Sequence, residues 1–159
     1  MTAAAPLDHE AAARLWEEYS RGTPHLADAE YTVERFGDSA EMADELLGLV
    51  LHGGKRATAS LLADFAHDKT PLPRIGVHWI VCDGSGTPRA VLRTTELRIG
   101  PFHSVDDAFA WDEGENDRTR DGWMREHSRY WQRVRAAQGA TWSESDEVLF
   151  ERFQVVHPR

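Results

Sequence analysis

Residues 52–60 read HGGKRATAS, nine positions that carry a lysine, an arginine, a threonine and a serine but no large apolar side chain. A threonine hydroxyl is a weak nucleophile until a base stands beside it, and a desolvated lysine can serve as that base. Lys55 and Thr58 are therefore the first candidates for catalysis. Around them Gly54 offers a backbone amide to a developing oxyanion, Arg56 a guanidinium and Ser60 a second hydroxyl. Side chains three apart on a regular strand face opposite ways, so a site shared by Lys55 and Thr58 requires a turn, which Gly53-Gly54 makes feasible. The competing reading is structural, with Gly53 as a left-handed helix cap, Lys55 beside the helix C-terminus and a strand of small residues starting at Ala57.

A second polar concentration, AWDEGENDRTRDGW, crowds Asp112, Glu113, Glu115 and Asp117 around Gly114. One of these carboxylates, aimed into a pocket, could move a proton or pair with Lys55. The bland alternative is a solvated loop ahead of a helix, and the sequence does not choose among the four. His127 lies four residues after Trp123 on an apolar stripe, which fits either a core histidine or a cleft histidine that contacts a ligand. Trp123 and Trp131 on that stripe read as core, although an exposed aromatic could stack a base.

Several chemistries are excluded. Gly48 to Lys55 resembles a phosphate loop, but Gly54 stands where lysine is required and Arg56 follows Lys55 where serine or threonine belongs. The direction is also wrong, since a helix ends here and presents carbonyls, whereas anions are held at helix N-termini. No metal and no cofactor are expected: His9-Glu10 is followed by alanines, there is no cysteine cluster, and the acidic loop lacks calcium-loop spacing. A net charge of -9 argues against non-specific coating of nucleic acid, which needs many phosphate contacts. The single cysteine, Cys82, sits in an apolar run and reads as a buried thiol.

At 159 residues the chain is read as one domain, residues 1–159. No stretch approaches the roughly 18 apolar residues of a membrane span, and the start of the chain has no leader pattern, so a cytoplasmic protein without a membrane partner is expected. Three helices are predicted: one from the Asp8 cap to Gly22, an N-terminal extra at about 8–21; one after an Asp38/Glu41 capping box, ending at Gly53; and one carrying Trp123 to Val134. A shorter turn is expected from Ser104. Strand-like runs at Gly76–Asp83, Ala90–Ile99 and Glu147–Val156, the first two joined by the turn Asp83–Pro88, make the class α+β, a small mixed or antiparallel barrel with helices around it.

Four stretches, LVLHGGKRATASLL, PLPRIGVHWIVCDGSGTPRAVLRTTELRI, PFHSVDDAFAWDEGENDRTRDGWMREHSRYW and VLFERFQVV, together resemble the ASCH domain family over residues 41–156. The resemblance implies a PUA-like barrel whose cleft unites the two polar segments, and a partner that is RNA or other single-stranded nucleic acid. One branch of the family is similar to single-stranded ribonucleases. Another contains amidohydrolases acting on acetylcytidine-type modified nucleosides through a lysine, a threonine three positions later and a glutamate. Those correspond here to Lys55, Thr58 and Glu115. The short amidohydrolases carry an arginine where this chain has Ser60. Gly54, Arg56, Ser60, Glu113 and His127 complete the expected ligand-binding set.

Overall fold

The computed structural model describes residues 3–159; Met1 and Thr2, part of the segment read for a leader, lie outside the described residues. In chain order the elements are α1 (His9–Ser20), β1 (Tyr31–Glu34), α2 (Ala40–His52), β2 (Ala57–Leu61), α3 (Leu62–Asp68), β3 (His78–Cys82), β4 (Pro88–Pro101), α4 (Asp107–Glu113), α5 (Arg120–Ala137) and β5 (Glu147–His157), with short 3-10 turns at Pro24–Leu26 and Phe102–Ser104. Among the described residues the strands form one five-stranded mixed sheet in the order β1-β3-β4-β5-β2. β1 runs parallel to β3, while β3 with β4 and β2 with β5 are antiparallel. The class is α+β. Among the described residues, no helix is long and apolar enough to cross a membrane.

Local chemistry explains most element ends. The Asp8 carboxylate caps α1 by accepting the Ala11 N–H at 2.9 Å. The cap of α2 is Ser39, one residue later than the Asp38/Glu41 box predicts; its hydroxyl accepts the Met42 N–H at 3.2 Å. Gly53 ends α2 with φ -123°, an extended rather than left-handed cap, so positive φ is not what glycine supplies there. The β3–β4 turn is held by Asp83, which accepts the N–H groups of Ser85 and Thr87 at 3.0 Å each, while Gly86 takes φ +85°. The predicted turn at Ser104 resolves into the 3-10 turn followed by α4, capped by Asp106 onto Phe109 N–H at 2.8 Å.

The chain divides into two compact units. The first contains the chain up to Gly53, Ile75–Thr95 and Phe153–Arg159. In it β3 is buried on both faces, as a central strand must be. Ile80 joins Ala12, Trp16 and Val91 in one cluster, and Trp79 and Val81 join Phe36, Leu47, Val50, Ala90, Leu92 and Phe153 in another, the period-two alternation of a strand. Cys82 is fully buried here, and burial pushes its thiol pKa up to about 11.

The second unit contains Gly54–Arg74 and Glu96–Arg152. Its core gathers Ala57 and Leu61 of β2, Phe109 and Ala110 of α4, Trp123 and Trp131 of α5, and Val148 and Phe150 of β5, with Phe102 and Val105 between. This aromatic packing fixes α4 and α5 against β2. The first polar segment from Gly54 onward, and all of the second, fall in this unit.

Candidate functional site

Burial of Lys55 follows from the backbone around it. The two residues before β2 bring it under the end of α4, where the Arg56 N–H donates to the Asp112 carbonyl at 2.7 Å. Gly114 caps α4 in the left-handed region at φ +70°, and a Cβ placed on it would lie 2.8 Å from the Lys55 amide nitrogen and 2.9 Å from the Gly54 carbonyl carbon. Only glycine meets both demands, the positive φ and the backbone contact. The chain then leaves α4 through Glu115, with Asn116 and Arg118 also at positive φ, and enters α5 at Thr119, whose hydroxyl accepts the Gly122 N–H at 3.1 Å.

Four polar side chains converge there. The Lys55 side chain is 1% exposed, and its Nζ donates to the Ala57 carbonyl at 2.8 Å, to the Glu115 carboxylate at 2.7 Å and to the Glu113 carbonyl at 3.4 Å. The Glu113 carboxylate lies 3.9 Å from the same ammonium. Its Oε1 meets His127 Nε2 at 2.7 Å, and its Oε2 accepts the Trp123 Nε1–H. His127 Nδ1 faces the Trp123 carbonyl at 2.9 Å, and its ring stacks on the Trp123 indole at 4.0 Å and 16°. Trp123 and His127 are four apart on α5, which puts both on one helix face. Within this cluster Glu115 reaches solvent most, its side chain 18% exposed against 1% for Lys55, 2% for Glu113 and 10% for His127.

The two carboxyl groups are driven apart electrostatically. Burial alone would raise the Glu113 pKa, but His127 and Lys55 outweigh it and hold the group well below the ordinary carboxylate range. For Glu115 burial dominates, the neighbouring Glu113 charge adds to it, and Lys55 offsets only part, so its pKa is pushed up to about 7. Burial would lower His127, yet the Glu113 carboxylate, with Glu115 and the Trp123 carbonyl, raises it. One carboxyl is thus held ionised and its neighbour is tuned to exchange a proton at neutral pH, the usual arrangement for dividing acid and base roles.

Glu113, Glu115 and His127 place ligand-type atoms within 4.8 Å of one another, close enough for a metal ion. Trp123 and His127 each hold one Glu113 oxygen and the Lys55 ammonium lies on Glu115, so a metal ion would have to compete with a cation already in place.

Of the residues expected from sequence, Lys55, Glu113, Glu115 and His127 are brought together. Thr58 lies half-buried in β2 opposite Glu151 in a regular register, and Ser60 lies half-buried opposite Leu149. Arg56 is exposed, with Nη1 donating to the Lys55 carbonyl at 2.6 Å. Gly54 packs against Arg118, whose guanidinium nitrogens would sit 2.9 and 3.0 Å from a Cβ there. Asp112 instead pairs with Arg152 at 2.9 Å, and Asp117 accepts the Thr119 N–H and hydroxyl at 3.0 and 2.8 Å.

Sequence reasoning missed Trp111 and read Arg118 as one of several scattered basic surface residues. Trp111 is 58% exposed, whereas Trp123 and Trp131 are buried. The Arg118 guanidinium lies 3.8 Å over the Trp111 ring and donates twice to the Trp111 carbonyl, at 2.9 and 2.7 Å. Arg118 also donates its own N–H to the Glu115 carbonyl at 3.0 Å, so the backed indole stands next to the Glu115 loop. The signal in the sequence was a tryptophan directly ahead of the acidic run, on no apolar stripe.

The fold has relatives among solved structures. The chain shares 31% identity and a TM-score of 0.83 with a crystal structure of a protein from Enterococcus faecalis V583, covering 93% of this chain and 89% of that one. An ASCH domain structure from Lactobacillus crispatus JV V101 shares 22% identity and a TM-score of 0.84 over 94% of this chain and 96% of that one. No curated protein matches the chain. Residues 32–157, which include both polar segments and every side chain of the cluster, match the ASCH domain family, and the chain belongs to that family, with its PUA-like fold.

Proposed function

We propose that the protein recognises a nucleotide within single-stranded RNA at the Lys55–Glu115 cluster. The observation that carries this reading is a stacking face and a polar edge tied to one loop: exposed Trp111 is backed by Arg118, whose N–H donates to the Glu115 carbonyl, and the Glu115 carboxyl reaches solvent. Unpaired bases are recognised by stacking on aromatic rings while polar groups read their edges. Membership of a family associated with RNA binding supports the same class of partner. The net charge of -9 fits recognition of one or a few nucleotides better than a long phosphate track.

A labelled single-stranded RNA oligonucleotide, titrated by fluorescence anisotropy at several salt concentrations, tests this. Saturable binding with a shallow salt slope, equivalent to about one to three phosphates, is expected. Absence of binding even at low salt overturns the reading.

A second reading, deacylation of an acetylcytidine-type nucleoside, is favoured by the direct 2.7 Å contact of Lys55 with Glu115, two of the three residues such chemistry would use. In it Thr58 attacks the acyl carbon, and Glu115 returns a proton to the departing amine. Buried Lys55 would have to yield a proton before accepting one from Thr58. Release of cytidine from acetylcytidine by wild type and not by Lys55→Ala, followed by chromatography, is the outcome that would put this reading first.

A further inference from the structure

The donors and acceptors around Glu113 constrain where protons reside. Trp123 Nε1 can only donate, so Glu113 Oε2 is an acceptor. His127 Nδ1 faces a carbonyl oxygen, which only accepts, so Nδ1 carries a hydrogen. The remaining ring nitrogen, Nε2, and Glu113 Oε1 share a 2.7 Å contact that requires one proton between them. With the Lys55 ammonium 3.9 Å from Glu113, the charge-separated form is favoured, a carboxylate against an imidazolium. The indole stacked on His127 at 4.0 Å stabilises a cationic ring further.

Glu115 is then the next place a proton must go. Oxygens of the Glu113 and Glu115 carboxyls lie within 4.8 Å of each other, and a carboxylate held ionised that close raises its neighbour's affinity for a proton. Glu113 is already accepting from Trp123 and His127, so of the two carboxyls Glu115 is the one that takes up a proton. The charged groups facing this pair are Lys55 from the segment before β2, His127 from α5 and the two carboxyls themselves.

We propose that Glu113, His127 and Trp123 are positioning residues that keep a proton on Glu115, making Glu115 the acid–base group that this site presents to its ligand. With Glu115 protonated the cluster carries one net positive charge; giving that proton to a ligand atom leaves a neutral set of two carboxylates, one ammonium and one imidazolium. The 2.7 Å contact with Lys55 compensates the carboxylate so formed. The nature of the ligand rests on the nucleotide reading above, whereas the arrangement of protons does not.

Nitrogen-15 NMR of the histidine ring and carbon-13 NMR of the glutamate carboxyls test the proposal without any ligand, so its failure is separable from a failure to bind RNA. In wild type at pH 8, His127 is expected to show both ring nitrogens protonated, and Glu115 to titrate near neutrality. In Glu113→Gln, His127 should become neutral with a single protonated nitrogen, and the Glu115 midpoint should fall toward the ordinary carboxylate range. A neutral His127 in wild type at pH 7, or a Glu115 midpoint unchanged by Glu113→Gln, overturns it. Trp123→Phe is the second variant: it removes one donor to Glu113, and a partial shift of the His127 signals in the same direction is expected. Unmoved His127 signals in Trp123→Phe would remove Trp123 from the device.

Discussion

His78 and His127 are both buried, one in each compact unit, and their environments push them in opposite directions. His78 in β3 sits among aromatic rings, with Trp16 at 5.2 Å and Tyr19 at 5.6 Å, and its Nε2 meets the Tyr19 hydroxyl at 3.2 Å. Burial, with Arg93 opposite it in the sheet, lowers its pKa. His127 meets a carboxylate in place of a hydroxyl, and its pKa rises. The same contrast extends to the units. The buried polar groups of the first are Ser20, Ser39, His78 and Thr94, whereas those of the second are Lys55, Glu113, His127 and Glu151. Among the described residues the buried lysine and glutamates lie in the second unit, where the chemistry is proposed.

The strongest way to break this comparison is to unbalance the second unit. Lys55→Ala leaves the Glu113 and Glu115 carboxyls with one cation fewer and should lose about 3–5 kcal/mol of stability. Urea unfolding at neutral pH measures it, and a loss below about 1 kcal/mol would mean that Lys55 does not balance the buried carboxylates.

Trp111 should behave in the opposite way. Trp111→Ala is expected to weaken single-stranded RNA binding by about 1–3 kcal/mol while changing unfolding stability by less than roughly 0.5 kcal/mol. Equal losses in both measurements would make it a packing residue.

The histidines predict opposite pH slopes. The folded pKa of His127 is raised above 6.5, so its contribution is complete below that value and lost as pH climbs through the folded one. For His78 the folded pKa is lowered, so its contribution is complete above 6.5 and lost as pH falls through the folded one. A tenfold difference in proton affinity between the folded and unfolded chain corresponds to about 1.4 kcal/mol. Unfolding curves of His127→Gln and His78→Gln, compared with wild type across pH 5–9, should differ in slope on the alkaline and acid sides respectively. Glu115, raised to about 7, also loses its contribution on the alkaline side, so the mutant difference rather than the wild-type slope is diagnostic.

The smallest expected effect is that of Thr58→Ala. It should change RNA affinity and stability by less than about 1 kcal/mol, since Thr58 is half-buried in a regular strand. It should abolish cytidine release if the amidohydrolase reading holds, and leave it intact if water reaches the substrate directly.

The second unit also separates what a sequence can reveal from what it cannot. α5 was legible because Trp123, His127 and Trp131 recur at helical spacing, and the β3–β4 hairpin because Asp83 and Gly86 specify a turn. β1 and α3 escaped notice: β1 has only four residues, so its apolar alternation is the single pair Tyr31 and Val33, and α3 buries none of its residues fully and has no side-chain cap. Each polar segment stood out by composition, and the family resemblance joined them through Lys55 and Glu115.

What the sequence by itself determined, then, was the class α+β, the helices and strands whose apolar period is unbroken, and two polar segments with chemistry to offer. These depend on spacing along the chain, which local backbone geometry reads directly. Only the tertiary structure decided that Glu113, 58 residues from Lys55, has both its oxygens held by α5, that Glu115 is the carboxyl left facing solvent, and that the exposed tryptophan is Trp111. The reason is that pKa and exposure are set by groups brought close through packing of the aromatic core, a distance the linear order does not encode.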